Sequence, residues 1–220
     1  MLTRAAWAAI AGLRHGFLEA ADCTAAPDWP AVVGAPLALP HQVHGIAVVT
    51  ADRGEHRSDA DAVVTEPGQV LAGILTADCV PVLLVDRRAR AAAAVHAGWR
   101  GAAGGVVEAT IAHLRQHHQI GAPDLEAAIG PAIGPCCYRV GPEVRAAFES
   151  CSGTSTAPAW DHRSDGVFLD LRLAVRRLLE VAGVADIDLI GGCTRCDHRF
   201  HSYRRDGSRA GRQLSFIGWS

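Results

Sequence analysis

Between residues 63 and 95 the chain passes through four short apolar segments, Val63–Val64, Leu71–Thr76, Val80–Val85 and Ala91–Val95. They are divided by Ala77-Asp78-Cys79 and by the charged stretch Asp86–Arg90. Runs of this length and make-up read as buried strands. Cys79 therefore falls between two strands, and His96 ends another. The small-residue segment Ala97–Gly101 leads into a helix expected from about Ala102 to His118, because Val106, Val107, Thr110, Ile111 and Leu114 recur at helical spacing. Leu125–Ile129 reads as a strand, followed by the Gly/Pro-rich turn Gly130–Pro135, and Pro142 opens a helix through Phe148. Leu169–Gly183 carries the strongest helical signal, with Asp170 as N-cap, apolar Leu171, Val175, Leu178 and Leu179, and a terminal Gly183. Ile187–Ile190 and Leu214–Ile217 complete the expected strands, while Cys151–Trp160 reads as an exposed loop. The mixture predicts an α+β (mixed α/β) fold with sheets covered by helices. Neither repeats nor a domain boundary are visible, so residues 1–220 are expected to form a single domain.

A chain of 220 residues can bury a sizeable core, and its 49% hydrophobic and 20% charged residues exclude global disorder. Lys and Arg total 21 against 23 Asp and Glu, which gives no electrostatic reason to expect nucleic acid or an anionic membrane surface as partner. Arg4, Arg14 and Glu19 interrupt the Ala-rich start, and no apolar run reaches bilayer length. Seven cysteines, an odd number in a chain with its own core, argue against a secreted disulfide framework. Reduced thiols or metal ligands in a cytoplasmic protein are the expectation.

The chemistry-bearing residues are scattered. Pro40-His41-Gln42-Val43-His44-Gly45 holds two imidazoles at odd separation, so on a regular strand only one faces a given pocket unless the backbone turns. Cys79 has the surroundings of a buried thiol, and His96 is followed by Gly98 and Gly101, which permit close backbone approach. A thiolate with two imidazoles suits zinc or copper, and three protein ligands leave a position open for water or substrate. Cys193-Thr194-Arg195-Cys196 is a Cys-x-x-Cys that suits a redox pair or half of a four-thiolate zinc site, but no second one completes it, so it is read as structural or incidental. Adjacent Cys136 and Cys137 are read the same way, since neighbouring side chains generally point apart. The Arg204-Arg205 cluster near the C-terminus either holds phosphate or pairs within the protein.

Several segments together resemble the laccase-domain, YfiH-type family, once called polyphenol oxidases and now regarded as purine nucleoside phosphorylases. They are HQVHG at His41–Gly45, SDADAVVT at Ser58–Thr65, TADCVPVLL at Thr76–Leu84, VHAGWRG at Val95–Gly101, IGPAIGPCCYRVG at Ile129–Gly141, and the ending from Phe200 to Trp219. The resemblance implies a compact fold with sheets packed between helices and a zinc ion held by His44, Cys79 and His96. It further implies phosphorolysis or deamination of purine nucleosides, with nucleoside and phosphate as partners; a monomer or weak homo-oligomer is expected beside it. Asp78 is expected to handle protons or orient a ligand, Arg100 to contact phosphate, and Cys137 and Tyr138 to line the substrate pocket. One segment departs from the family pattern: Leu18–Leu39 is short and lacks the usual basic stretch rich in Gly and Ser. Three other readings compete. They are a copper phenol oxidase, a metal-free hydrolase in which His96 activates Cys79, and a nucleoside-binding module without catalysis.

Overall fold

The computed structural model describes residues 1–23, 27–51, 58–150 and 159–219. In chain order the strands are β1 (Leu13–Phe17), β2 (Leu37–Ala38), β3 (Val48–Thr50), β4 (Ala62–Thr65), β5 (Leu71–Thr76), β6 (Val80–Asp86) and β7 (Ala92–Ala97). They continue with β8 (Leu125–Ile129), β9 (Arg139–Val140), β10 (Ala159–Arg163), β11 (Gly166–Asp170), β12 (Asp186–Leu189) and β13 (Gln213–Trp219). The helices are α1 (Trp29–Val33), α2 (Trp99–Gly104), α3 (Val106–His118), α4 (Pro142–Ser150), α5 (Leu171–Val181) and α6 (Tyr203–Asp206).

Among the described residues the strands form three sheets. The largest has the order β12-β8-β6-β7-β4-β3, antiparallel at its centre with a parallel pair at each edge. A second sheet runs β1-β13-β5-β2, and a small antiparallel one runs β10-β11-β9. Every residue of β6 is buried. Val80, Val82 and Leu84 pack with Val107, Leu114 and Leu178 of α3 and α5, whereas Leu83 and Val85 pack with Ile74 and Ile217 of the second sheet. A strand covered on both faces needs an unbroken apolar run, which Val80–Val85 supplies. Complete burial of Leu83 or Leu84 contributes about 2 kcal/mol each. The far face of the second sheet packs Leu71, Leu214 and Phe216 against Val33 of α1, so the two sheets lie between helices.

The helix expected over Ala102–His118 begins earlier and is broken in two. Gly105 adopts φ 98, a left-handed conformation that ends α2 and starts α3. At α5 the Asp170 carboxylate accepts from Leu173 N at 2.9 Å, the cap the sequence predicts, while Leu169 belongs to β11. The loop expected over Cys151–Trp160 lies, through residue 158, outside the described residues; Trp160 is on β10. Strands β1 to β3 and β9 to β11 have no counterpart among the strands expected from the sequence. No described helix is long and apolar enough to cross a membrane.

The N-terminal segment is tied to the large sheet by a buried guanidinium. Arg4 donates to Asp188 at 2.8 Å and Glu126 at 3.1 Å, and it also pairs with Asp186. Its side chain is only 3% exposed, so burial is compensated by three carboxylates from β8 and β12.

Candidate functional site

The end of β5, the start of β6 and the end of β7 meet at one rim of the two packed sheets. Cys79 lies in the turn from β5 to β6, His96 is the penultimate residue of β7, and His44 comes from the loop before β3. The turn is tight enough to place Asp78 at φ 88, and His44 adopts φ 59. Both are conformations that side chains other than Gly adopt only when the surroundings hold them.

Asp61 does much of that holding for His44. The residue is fully buried immediately before β4, and its carboxylate accepts from the backbone N–H of Val43 at 3.3 Å, His44 at 3.0 Å and Gly45 at 2.6 Å. The same group lies 2.7 Å from Nδ1 of His96. With Nδ1 engaged, Nε2 of His96 is left as its ligand nitrogen. The sequence reading passed over Asp61. The available signal was an acidic residue leading directly into the apolar run Ala62–Val64, where a buried charge must find several partners.

Donor atoms of His44, Cys79 and His96 all lie within 4.8 Å of one another, a group that could hold a metal ion. The imidazole centroids are 4.8 Å apart. Burial alone would push the Cys79 thiol up, but hydrogen bonds and charge from His44 and His96 bring it down to about 6. Burial likewise disfavours a charged His96, yet Asp61 and the Cys79 sulfur raise it to about 9. A Cβ placed on Gly98 would lie 2.9 Å from His44 Nδ1 and 3.2 Å from Cys79 Sγ, so only hydrogen fits there.

The triad opens into a cavity of about 520 Å³. His41 also borders it, with Nδ1 held 2.7 Å from Asp59. The opposite facings expected on a regular strand do not occur, because the backbone turns at His44. Tyr138 and Tyr203 supply aromatic surface, and Leu75, Ile133 and Leu171 supply aliphatic surface. Gln42 fixes one wall by exchanging two hydrogen bonds with the backbone of Leu75, at 2.9 and 2.8 Å.

Asp78 lines the cavity with both oxygens engaged. Oδ1 accepts from Thr194 Oγ1 and Oδ2 from Arg204 N, each at 2.6 Å. Arg204 and Arg212 reach the cavity, whereas Arg100 is not among its lining residues. The Arg100 guanidinium lies 4.3 Å from the Trp99 ring centroid, a cation–π contact. Cys137 is also absent from the lining, because successive side chains diverge: Tyr138 faces the cavity and the Cys137 sulfur lies 3.3 Å from that of Cys196.

The family model described as Multi-copper polyphenol oxidoreductase laccase matches residues 28–220. A purine nucleoside phosphorylase of Clostridium acetobutylicum is 36% identical over 178 residues, covering 80% of this chain and 74% of that protein. Adenosine deaminase RL5, from an unknown prokaryotic organism, is 34% identical over 196 residues, covering 82% of this chain and 74% of that protein. The crystal structure of YlmD from Geobacillus stearothermophilus is similar with a TM-score of 0.77 at 34% identity, covering 83% of this chain and 73% of that one.

Proposed function

This chain belongs to the laccase-domain family, and from that premise we propose that it is a zinc-dependent purine nucleoside phosphorylase with an accompanying adenosine deaminase activity. The observation that carries the reading is the open triad of His44, Cys79 and His96 at a cavity of about 520 Å³, within the range of small-molecule sites. One sulfur and two nitrogens are a fitting donor set for zinc, and the absence of a side chain at Gly98 leaves room for those of His44 and Cys79. When bound, zinc supplies one vacant Lewis-acidic coordination position.

The protein's own groups do the positioning. Asp61 orients the His96 ring and, through three backbone N–H groups, the loop that carries His44. Tyr138 and Tyr203 offer faces against which a purine base stacks, with Leu75 and Ile133 excluding water beside it. Arg204 and Arg212 provide the positive charge that holds phosphate for attack at C1′ of the ribose. Arg100, expected from the sequence to contact phosphate, stacks on Trp99 and is not among the residues lining the cavity. Asp78, with both oxygens committed, positions Thr194 and the first turn of α6.

The test is to incubate the pure protein with adenosine, inosine and methylthioadenosine, with and without phosphate, and to identify products by mass. Free base with ribose 1-phosphate is expected only when phosphate is present, and inosine is expected from adenosine without it. A His44→Ala variant serves as control. Absence of turnover in the wild type removes the proposal, and phenol oxidation by copper-loaded protein without nucleoside turnover replaces it with the copper reading.

A further inference from the structure

Four cysteines that the sequence leaves as two unrelated pairs gather in one place. Cys136 and Cys137 sit in the turn after β8, and Cys193 and Cys196 follow β12. The backbone brings the two segments together: Ala132 pairs with Cys193 in a parallel bridge, and Thr194 N donates to Ala132 O at 3.0 Å. Their sulfurs all lie within 4.8 Å of one another, with Cys137 to Cys196 at 3.3 Å and Cys136 to Cys196 at 3.6 Å. The Cys-x-x-Cys at 193–196 therefore has a second thiol pair, supplied by two adjacent cysteines. Their divergence is overcome because Cys137 N and Tyr138 N both donate to Gly134 O, at 2.9 and 3.0 Å, curling the chain around the cluster.

These distances discriminate between chemistries. A disulfide requires sulfurs about 2.05 Å apart, and all four cysteines are unbridged. Tetrahedral coordination with zinc–sulfur bonds of about 2.3 Å places sulfurs about 3.8 Å apart, close to the separations seen. The surroundings are also built for sulfur. Gly134 N donates to Cys193 Sγ at 3.1 Å and Arg195 to Cys137 Sγ at 3.4 Å, and such donors suit thiolates. A Cβ on Gly134 would lie 3.1 Å from Cys193 Cβ and 3.3 Å from Cys136 Sγ, so that position favours the residue with no side chain.

We infer that Cys136, Cys137, Cys193 and Cys196 form a second metal site, a closed tetrathiolate that binds a soft divalent cation of the zinc class. Four protein ligands leave no vertex for substrate, so its role is structural. It clamps the turn that presents Tyr138 to the segment bearing Thr194, whose hydroxyl holds Asp78 one residue before Cys79. The site stands whether or not the cavity turns over nucleosides.

The experiment is metal analysis and zinc X-ray absorption on the whole chain, purified reduced and reconstituted with zinc alone, as wild type and as the double variants His44→Ala/Cys79→Ser and Cys193→Ser/Cys196→Ser. The first double variant should keep one zinc ion with a sulfur-only shell at about 2.3 Å. The second should lose that signal and keep the mixed nitrogen and sulfur one. Should the second fail to fold, the first variant and the wild type still decide. A zinc-free first variant, a mixed shell within it, or a Cys136–Cys196 or Cys137–Cys196 disulfide found by mass in the reduced-purified wild type overturns the inference.

Discussion

The carboxylate of Asp61 lies 2.7 Å from Nδ1 of His96 and 3.0 Å from the backbone nitrogen of His44, so one buried anion disciplines two of the three ligands. Asp61→Asn keeps the shape and removes the charge. Metal affinity should fall by about tenfold to a hundredfold, read by competition with a chromophoric chelator. An unchanged affinity would mean that the carboxylate serves folding alone.

Gly98→Ala should separate metal binding from folding. The backbone there has φ −67, which any residue accepts, yet the new methyl would meet His44 and Cys79. Thermal unfolding of the metal-free variant should stay near the wild type while zinc at this site is lost. Full zinc occupancy of the triad in this variant would show that the ion does not sit where the three donors converge.

In metal-free protein, alkylation of Cys79 by iodoacetamide, followed on its own peptide by mass, should rise through about pH 6 rather than through the ordinary 9.0. Stabilisation by the Cys79 thiolate is complete above pH 9.0 and disappears as pH falls through about 6. That from protonated His96 is complete below 6.5 and disappears as pH rises through about 9. The metal-free pair is thus best formed between those limits. Zinc should slow the labelling strongly; labelling indifferent to zinc would favour a nucleophilic cysteine without metal.

Arg212→Ala tests the phosphate subsite. The KM for phosphate should rise by about tenfold, corresponding to one lost charge-assisted contact. Deamination of adenosine measured without phosphate should hold steady. Equal losses in both reactions would point to a general disturbance of the cavity.

Arg4→Met should destabilise the fold by about 2 kcal/mol, because it removes the buried cation from Glu126, Asp186 and Asp188 and leaves the first two with Arg87. Urea unfolding would measure it. A change within about 0.5 kcal/mol would place those carboxylates effectively in solvent.

The readable parts of the chain were those with local signatures. Val80–Val85 announces a doubly covered strand, and Asp170 with Leu171, Val175 and Leu178 announces a capped amphipathic helix. Strand β1, with Arg14 and His15 inside it, has no such pattern, since its place depends on pairing with β13. Gly105 broke a helix whose apolar spacing ran straight on, because periodicity is blind to a left-handed residue. The donor atoms of His44, Cys79 and His96 do converge. Asp61 and the four-cysteine cluster escaped because each depends on contacts between segments distant in sequence.

His44 and Asp78 carry a final implication through their left-handed backbones at φ 59 and 88. Such torsions are imposed by the strands and carboxylates around them, so the socket at His44, Cys79 and His96 is shaped when the chain folds rather than when an ion arrives. Occupant and scaffold are therefore separable: a cation can leave and return while the architecture stands, unlike a small zinc-dependent module that collapses when stripped.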